Sequence, residues 1–202
     1  MQTILTSNQS TLIVDKSRFI GVTFHVETTH DVNECLAHVR KIFPKAKHYC
    51  YAYVIGHDEK GFDDGEPSKT AGRPLLELLK RGAYDETLIV VVRYFGGTLL
   101  GASRLLRTYV SIANATLNAA EKHQIVYMHT YQLEVSYSDY EYLQNEAKKH
   151  SFILENVTFS DTIGIKLLAQ RKADEILLQI LQGRGIIKPL NLEKRYLKEN
   201  SL

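Results

Sequence analysis

Asp63, Asp64 and Glu66 put three carboxylates within four positions, in a stretch from Gly56 to Arg73 that shows no hydrophobic period. Carboxylates this close could hold a divalent cation, or divide into a general acid and a general base. Their spacing departs from the calcium-loop pattern, and Asp64-Gly65 and Glu66-Pro67 are turn dipeptides in their own right. A solvated turn therefore accounts for the same residues. Ser68, Lys69, Thr70 and Arg73 add hydroxyls and cations to this stretch. A loop of such length inside a compact domain is either functional or disordered.

A second candidate follows Arg93 and Tyr94, where Gly96, Gly97 and Gly101 punctuate a tight connection. From Gly96 the spacing is that of a phosphate loop, but Ala102 stands where the lysine belongs, which argues against nucleotide hydrolysis. Gly-x-Gly-x-x-Gly is absent as well. What remains is a helix amino terminus with free N–H groups, with Arg93, Arg104 and Arg107 close in sequence, a reasonable anion site. The plainer alternative is a sharp glycine turn beside solvent-facing arginines. His48 and Cys50, two apart, have the look of a nucleophile pair or half a metal site. No second pair at ligand spacing supports them, and a free cysteine commonly serves as a small buried hydrophobe. Tyr49, Tyr51, Tyr53 and Tyr94 either stack on bases or cover a sheet face. Catalytic residues are left unassigned, and neither a metal site nor a cofactor is expected.

The elements that must position these residues are legible around one unit. Leu88 to Val92 is a β-branched run suited to a strand buried on both faces. Beyond the glycines, Leu105, Leu106, Tyr109, Val110, Ala113 and Leu117 form an apolar helical stripe, opposite Ser103, Arg104, Arg107 and Asn114. Before it come strands over 11–14 and 18–26, a helix opened by a capping box on Asp31 and Glu34 and ended by Pro44, and an alternating strand over 48–55. Pro74 starts a helix carrying Leu75, Leu76, Leu78 and Leu79. After Lys122 the pattern is β-α-β-β-α-β. Tyr131 to Tyr137 forms a strand, 152–159 and 162–169 a hairpin, Gly183 and Gly185 close a helix, and 186–197 is a last strand that Pro189 confines to an edge or a bulge. The expected class is α+β, in two domains, 1–124 and 125–202.

Composition narrows the options. A net charge of +2 is too small to argue for nucleic acid by itself, and 24% charged with 44% hydrophobic residues is ordinary for a globular chain. Two cysteines make no disulfide framework and fit a reducing compartment. The polar start lacks the layout of a secretory signal, and no run approaches a membrane span. A cytoplasmic, soluble protein is expected.

Asp63-Asp64-Gly65-Glu66-Pro67-Ser68, Thr70-Ala71-Gly72-Arg73-Pro74 and Arg93-Tyr94-Phe95-Gly96-Gly97 together resemble the IMPACT/YigZ family, as do Lys16-Ser17-Arg18-Phe19 and His48 with Cys50 to Tyr53. The resemblance implies an amino-terminal α/β sandwich similar to the second domain of a small-subunit ribosomal protein. It also implies a ferredoxin-like carboxy-terminal domain similar to those of elongation factor G. It implies no established reaction: eukaryotic members regulate translation under stress by competing for a protein partner. This chain departs from the family pattern at Phe62, where a serine is usual, at Lys69, where glycine is common, and at Ser103-Arg104, where Gly-Gly is usual. The expected function is a non-enzymatic binding protein in translation or its regulation, with RNA, the ribosome or a translation-associated protein as partner. Neither a membrane nor sequence-specific DNA is expected. The expected cleft comprises Asp63, Asp64, Glu66, Ser68, Lys69, Thr70, Arg73, Arg93, Tyr94, Gly96, Gly97, Arg104 and Arg107. The alternative is a metal-assisted hydrolase using Asp63, Asp64 and Glu66.

Overall fold

The computed structural model describes residues 1–198; positions 199–202, the end of the expected second domain, lie outside them. The chain divides into two compact units, one of residues 1–124 together with the chain from Leu197, the other of residues 125–196. Both are mixed α/β units built on antiparallel strands.

The first unit contains β1 (Gln2–Thr3), β2 (Asn8–Val14), β3 (Ser17–His25), α1 (Thr29–Ile42), β4 (His48–Ile55), β5 (Asp58–Phe62), α2 (Gly72–Arg81), β6 (Thr87–Tyr94) and α3 (Ala102–Ala119). Five strands form one antiparallel sheet in the order β2-β3-β6-β4-β5. Strand β6 runs through its centre, which explains the unbroken apolar run. Leu88, Val90 and Val92 pack with Val32 and Val39 of α1 on one face. Ile89 and Val91 pack with Leu75 and Leu79 of α2 and with Tyr109 and Ile112 of α3 on the other. Each such aliphatic side chain contributes ~1.5–3 kcal/mol by leaving water. Strand β4 is divided in the same way, with Cys50, Ala52 and Val54 toward α2 and α3, and Tyr49 and Tyr53 toward α1. These tyrosines cover a sheet face instead of offering a stacking platform.

Two local expectations change and one strand is added. Helix α1 is capped three residues earlier than the Asp31-Glu34 box: the Thr28 hydroxyl accepts from Asp31 N at 3.2 Å, and the Asp31 carboxylate accepts from Thr28 N at 2.8 Å. The aperiodic stretch after Gly56 holds a strand, β5, paired with Tyr51–Ile55 at the sheet edge. All of its residues are exposed, so no alternation was imprinted on it. Residues Gln2–Thr3 form a short strand paired with His123 and Gln124.

The second unit contains the body of β7 (His123–Val135), then α4 (Tyr137–Lys149), β8 (Ile153–Phe159), β9 (Ile163–Ala169), α5 (Asp174–Leu181), β10 (Ile186–Pro189) and most of β11 (Glu193–Lys198). Antiparallel pairing gives the order β10-β7-β9-β8. Leu133, Val135, Ile165 and Leu167 of the sheet pack with Leu143 of α4 and with Leu177 and Leu181 of α5. Tyr137, expected on the strand, opens α4, because Ser136 caps that helix by accepting from Asp139 N. The expected strand over 186–197 is interrupted after Pro189, which cannot donate to a ladder. Helix α5 ends on Gln182 in the left-handed conformation, ahead of Gly183. No helix among the described residues is long and apolar enough to cross a membrane.

At one crossing the fold requires glycine. A Cβ on Gly61 would stand 2.3 Å from the Gly72 carbonyl oxygen, and one on Gly72 would stand 2.2 Å from Phe62 N, so β5 touches the start of α2 backbone to backbone. Gly61→Ala is expected to destabilise the protein by about 1–3 kcal/mol through forced separation, read as a lower urea midpoint. An unchanged midpoint would mean the crossing is loose.

Candidate functional site

The period of two in the sheet gathers the site. Arg93 continues the alternation of Ile89 and Val91, so it emerges on the face covered by α2 and α3. Its direct cross-strand neighbours are Phe19 on β3 and His48 on β4. Tyr109, four residues after Leu105 on the buried stripe of α3, reaches the same spot. Glu66 enters from the 63–71 loop. Its Oε1 accepts from Arg93 Nη1 at 2.7 Å and from the Tyr109 hydroxyl at 2.8 Å. Its Oε2 lies 3.8 Å from His48 Nε2. His48 Nδ1 donates to the Asp64 carbonyl at 2.8 Å, a group that can only accept. The Phe19 ring meets Tyr109 edge-on at 5.4 Å and lies 5.2 Å from the guanidinium carbon of Arg93. Arg93 is 4% exposed and Glu66 8%, so a full charge pair sits in the interior. Charge-assisted bonds compensate its desolvation. The Arg93 Nε is buried with no partner.

The three carboxylates do not converge. Asp63 accepts from Lys69 N (3.0 Å), Ala71 N (3.0 Å) and Gly72 N (2.8 Å), tying the loop to the start of α2. Asp64 accepts from Tyr49 N at 2.7 Å and lies 3.7 Å from Arg40. Glu66 serves Arg93 and Tyr109. The alternative of a shared cation or acid–base set finds no converging geometry here: each carboxylate answers a different part of its own chain. Among the described residues no cluster of His, Cys, Asp and Glu is arranged to hold a metal ion. Neither the thiol nor the phenol beside Glu66 is a ready nucleophile. Burial pushes the Cys50 thiol far up, and the thiol donates to the Asp63 carbonyl. Burial, then Cys50 and Glu66, hold the Tyr109 hydroxyl protonated.

The cations are redistributed too. Arg93, expected to meet an anion in the open, is held inside by Glu66. Arg104 binds Asp15 through both of its terminal nitrogens, at 2.5 and 3.1 Å. Lys69, Arg73, Arg107 and Ser68 are exposed, and Thr70 donates to the Pro67 carbonyl. Lys69 adopts φ +65°, a left-handed conformation that suits the glycine common in the family. The Phe62 ring rests 5.4 Å from that of Tyr51. Tyr94 donates to the Pro44 carbonyl beneath Arg18. Gly96 N donates to the Ser17 hydroxyl, pinning the glycine turn to the β2–β3 hairpin, and Gly97 has φ +90°.

Loop and glycine turn nevertheless meet. Lys47, His48, Glu66, Arg93, Phe95 and Leu105 line a pocket of about 360 Å³, completed by Gly65, Pro67 and the 99–102 segment. Glu66 and Arg93 were legible as cleft residues. His48, Tyr109, Lys47, Phe95 and Leu105 were not assigned to it. The strand parity of Arg93, the same as that of Ile89 and Val91, was the available clue.

Glu66→Ala leaves a buried guanidinium uncompensated and is expected to cost about 3–5 kcal/mol. In a double-mutant cycle with Arg93→Met and Glu66→Leu, the double variant should lose less than the sum of the singles. Additive losses in denaturant midpoints would show the pair to be uncoupled. Iodoacetamide at mild alkaline pH should leave Cys50 unmodified until the protein is unfolded, as mapped by mass spectrometry.

The model of the Impact N-terminal domain matches residues 15–117. A Bacillus subtilis (strain 168) protein, "IMPACT family member YvyE", is 33% identical over 196 residues, covering 92% of this chain and 89% of its own. An "IMPACT family member" of Haemophilus influenzae is 32% identical over 188 residues, covering 89% of this chain and 91% of its own. A solved structure described as that of "an hypothetical protein" shares the fold, with a TM-score of 0.62 at 24% identity, over 94% of this chain and 97% of that one. With its loop, its strand β6 and its glycine turn arranged around one buried ion pair, this chain belongs to the IMPACT family.

Proposed function

We propose that this chain is a non-catalytic binding protein acting in translation or its regulation, and that its first unit grips a translation-associated protein. The observation that carries this reading is the state of the reactive groups: each carboxylate of the loop is engaged by its own chain, and the thiol and phenol beside Glu66 are held protonated. A pocket remains; among the described residues its lining holds no cysteine, serine, threonine or tyrosine, and its one carboxylate, Glu66, is bonded to Arg93 and Tyr109. A protein partner is favoured over RNA because Arg93 and Arg104 are already neutralised by Glu66 and Asp15, while Leu99 beside the pocket is 86% exposed. Phosphate-driven affinity rests on the number of free cations, and only Lys69, Arg73 and Arg107 of the expected five remain for it.

Fold likeness supports the same reading. The strand order of the second unit is that of a ferredoxin-like βαββαβ domain, which we read as similar to domains of elongation factor G. The first unit is read as similar to the second domain of a small-subunit ribosomal protein. Likeness of fold is analogy and does not by itself assign the partner. Such a partner implies action in the cytoplasm.

Affinity capture from lysate, with and without nuclease, should compare the wild type with Leu99→Asp. The expected result is a component of the translation machinery, identified by mass spectrometry, that survives nuclease and is lost with Leu99→Asp. Capture that nuclease abolishes, or that Leu99→Asp leaves intact, would overturn the reading.

A further inference from the structure

We propose that the pocket beside Glu66 and Arg93 is a binding site for a singly charged carboxylate attached to an apolar body. The inference goes beyond the translation reading and does not rest on it. A guanidinium has five N–H donors. Among the described residues Arg93 uses one, Nη1 to Glu66, and its Nε is buried without any partner in a side chain that is 4% exposed. An unpaired buried donor costs free energy until an acceptor reaches it.

Two further sources of positive potential border the same space. Helix α3 begins there on Gly101 with no side-chain cap, so the N–H groups of its first turn have no helical partner. The Lys47 ammonium lies 4.9 Å from the centre of the Phe95 ring, also on the wall.

Charge counting selects the head group. Lys47 and Arg93 against Glu66 leave one positive charge, supplemented by the helix end. That matches a single negative charge, whereas a dianion would be repelled by Glu66. The remaining wall, from Pro67, Phe95, Leu100 and Leu105, is apolar and suits an aliphatic body. Glu66 Oε2 and His48 Nε2 face each other at 3.8 Å and could accept an N–H next to the ligand's carboxylate, as in the last residue of a peptide. The same chemistry is offered by a free aliphatic acid and by a chain carboxy terminus.

The test is a ¹H–¹⁵N titration of the full chain with 4-methylpentanoate, inorganic phosphate, and an acetylated tripeptide ending in leucine, as the free acid and as the amide. Saturable shifts at His48, Ala102 and Leu105 are expected with both carboxylates, with the amide at least about tenfold weaker. Tighter binding of the free-acid peptide than of 4-methylpentanoate assigns the site to chain termini, and the reverse assigns it to small acids. Lys47→Gln, at an exposed position whose backbone N–H still donates to the Arg93 carbonyl, should weaken the carboxylates by about fivefold. Absence of saturable shifts, or equal response to phosphate at the same residues, would overturn the proposal. Because only small probes are used, this outcome is independent of whether a translation partner is captured.

Discussion

One carboxylate oxygen, Oε1 of Glu66, receives both Arg93 of the central strand and Tyr109 of the long helix. Three segments far apart in the chain are joined at that atom inside the protein. In an interior of low effective dielectric such bonds are strong, and the loss of any one partner leaves another without compensation. The 63–71 loop therefore has a fixed seat. Asp63 closes it onto the start of α2, and Asp64 fixes it to the backbone of β4. The residues that looked most reactive thus act as the fastenings of the loop.

The same constraint shapes the opposite wall. Gly96 packs so closely on the β2–β3 hairpin that a Cβ would stand 2.1 Å from the Lys16 carbonyl carbon. The turn consequently delivers Phe95, Leu99 and the open end of α3 beside Glu66. Burial disfavours ionisation of Cys50 and Tyr109 while leaving their hydrogen bonds intact.

Legibility followed burial. Strand β6 and helix α3 could be read from residues 88–117 because packing on both sides of the sheet and one side of the helix leaves strong patterns. Strand β5 could not, since an exposed edge imposes no alternation on Asp58–Phe62. The cap of α1 was displaced because Asp31 acts at the third helical position, leaving Thr28 as the residue that interrupts the backbone. Within the site, Glu66 and Arg93 were both expected in one cleft, but Arg93 was read as open to an anion or to solvent despite sharing the parity of Val91. Tyr109 was hidden within an apolar stripe that conceals its hydroxyl. Pairing of distant charges is a tertiary fact, and only parity hints at it.

The central claim is that Arg93 is locked inside by Glu66. The most direct measurement is the NMR spectrum of the Arg93 guanidinium at neutral pH. A locked side chain should show separate, slowly exchanging Nη1 and Nη2 signals, collapsing to one average in Glu66→Gln. A single averaged, rapidly exchanging signal in the wild type would contradict the account.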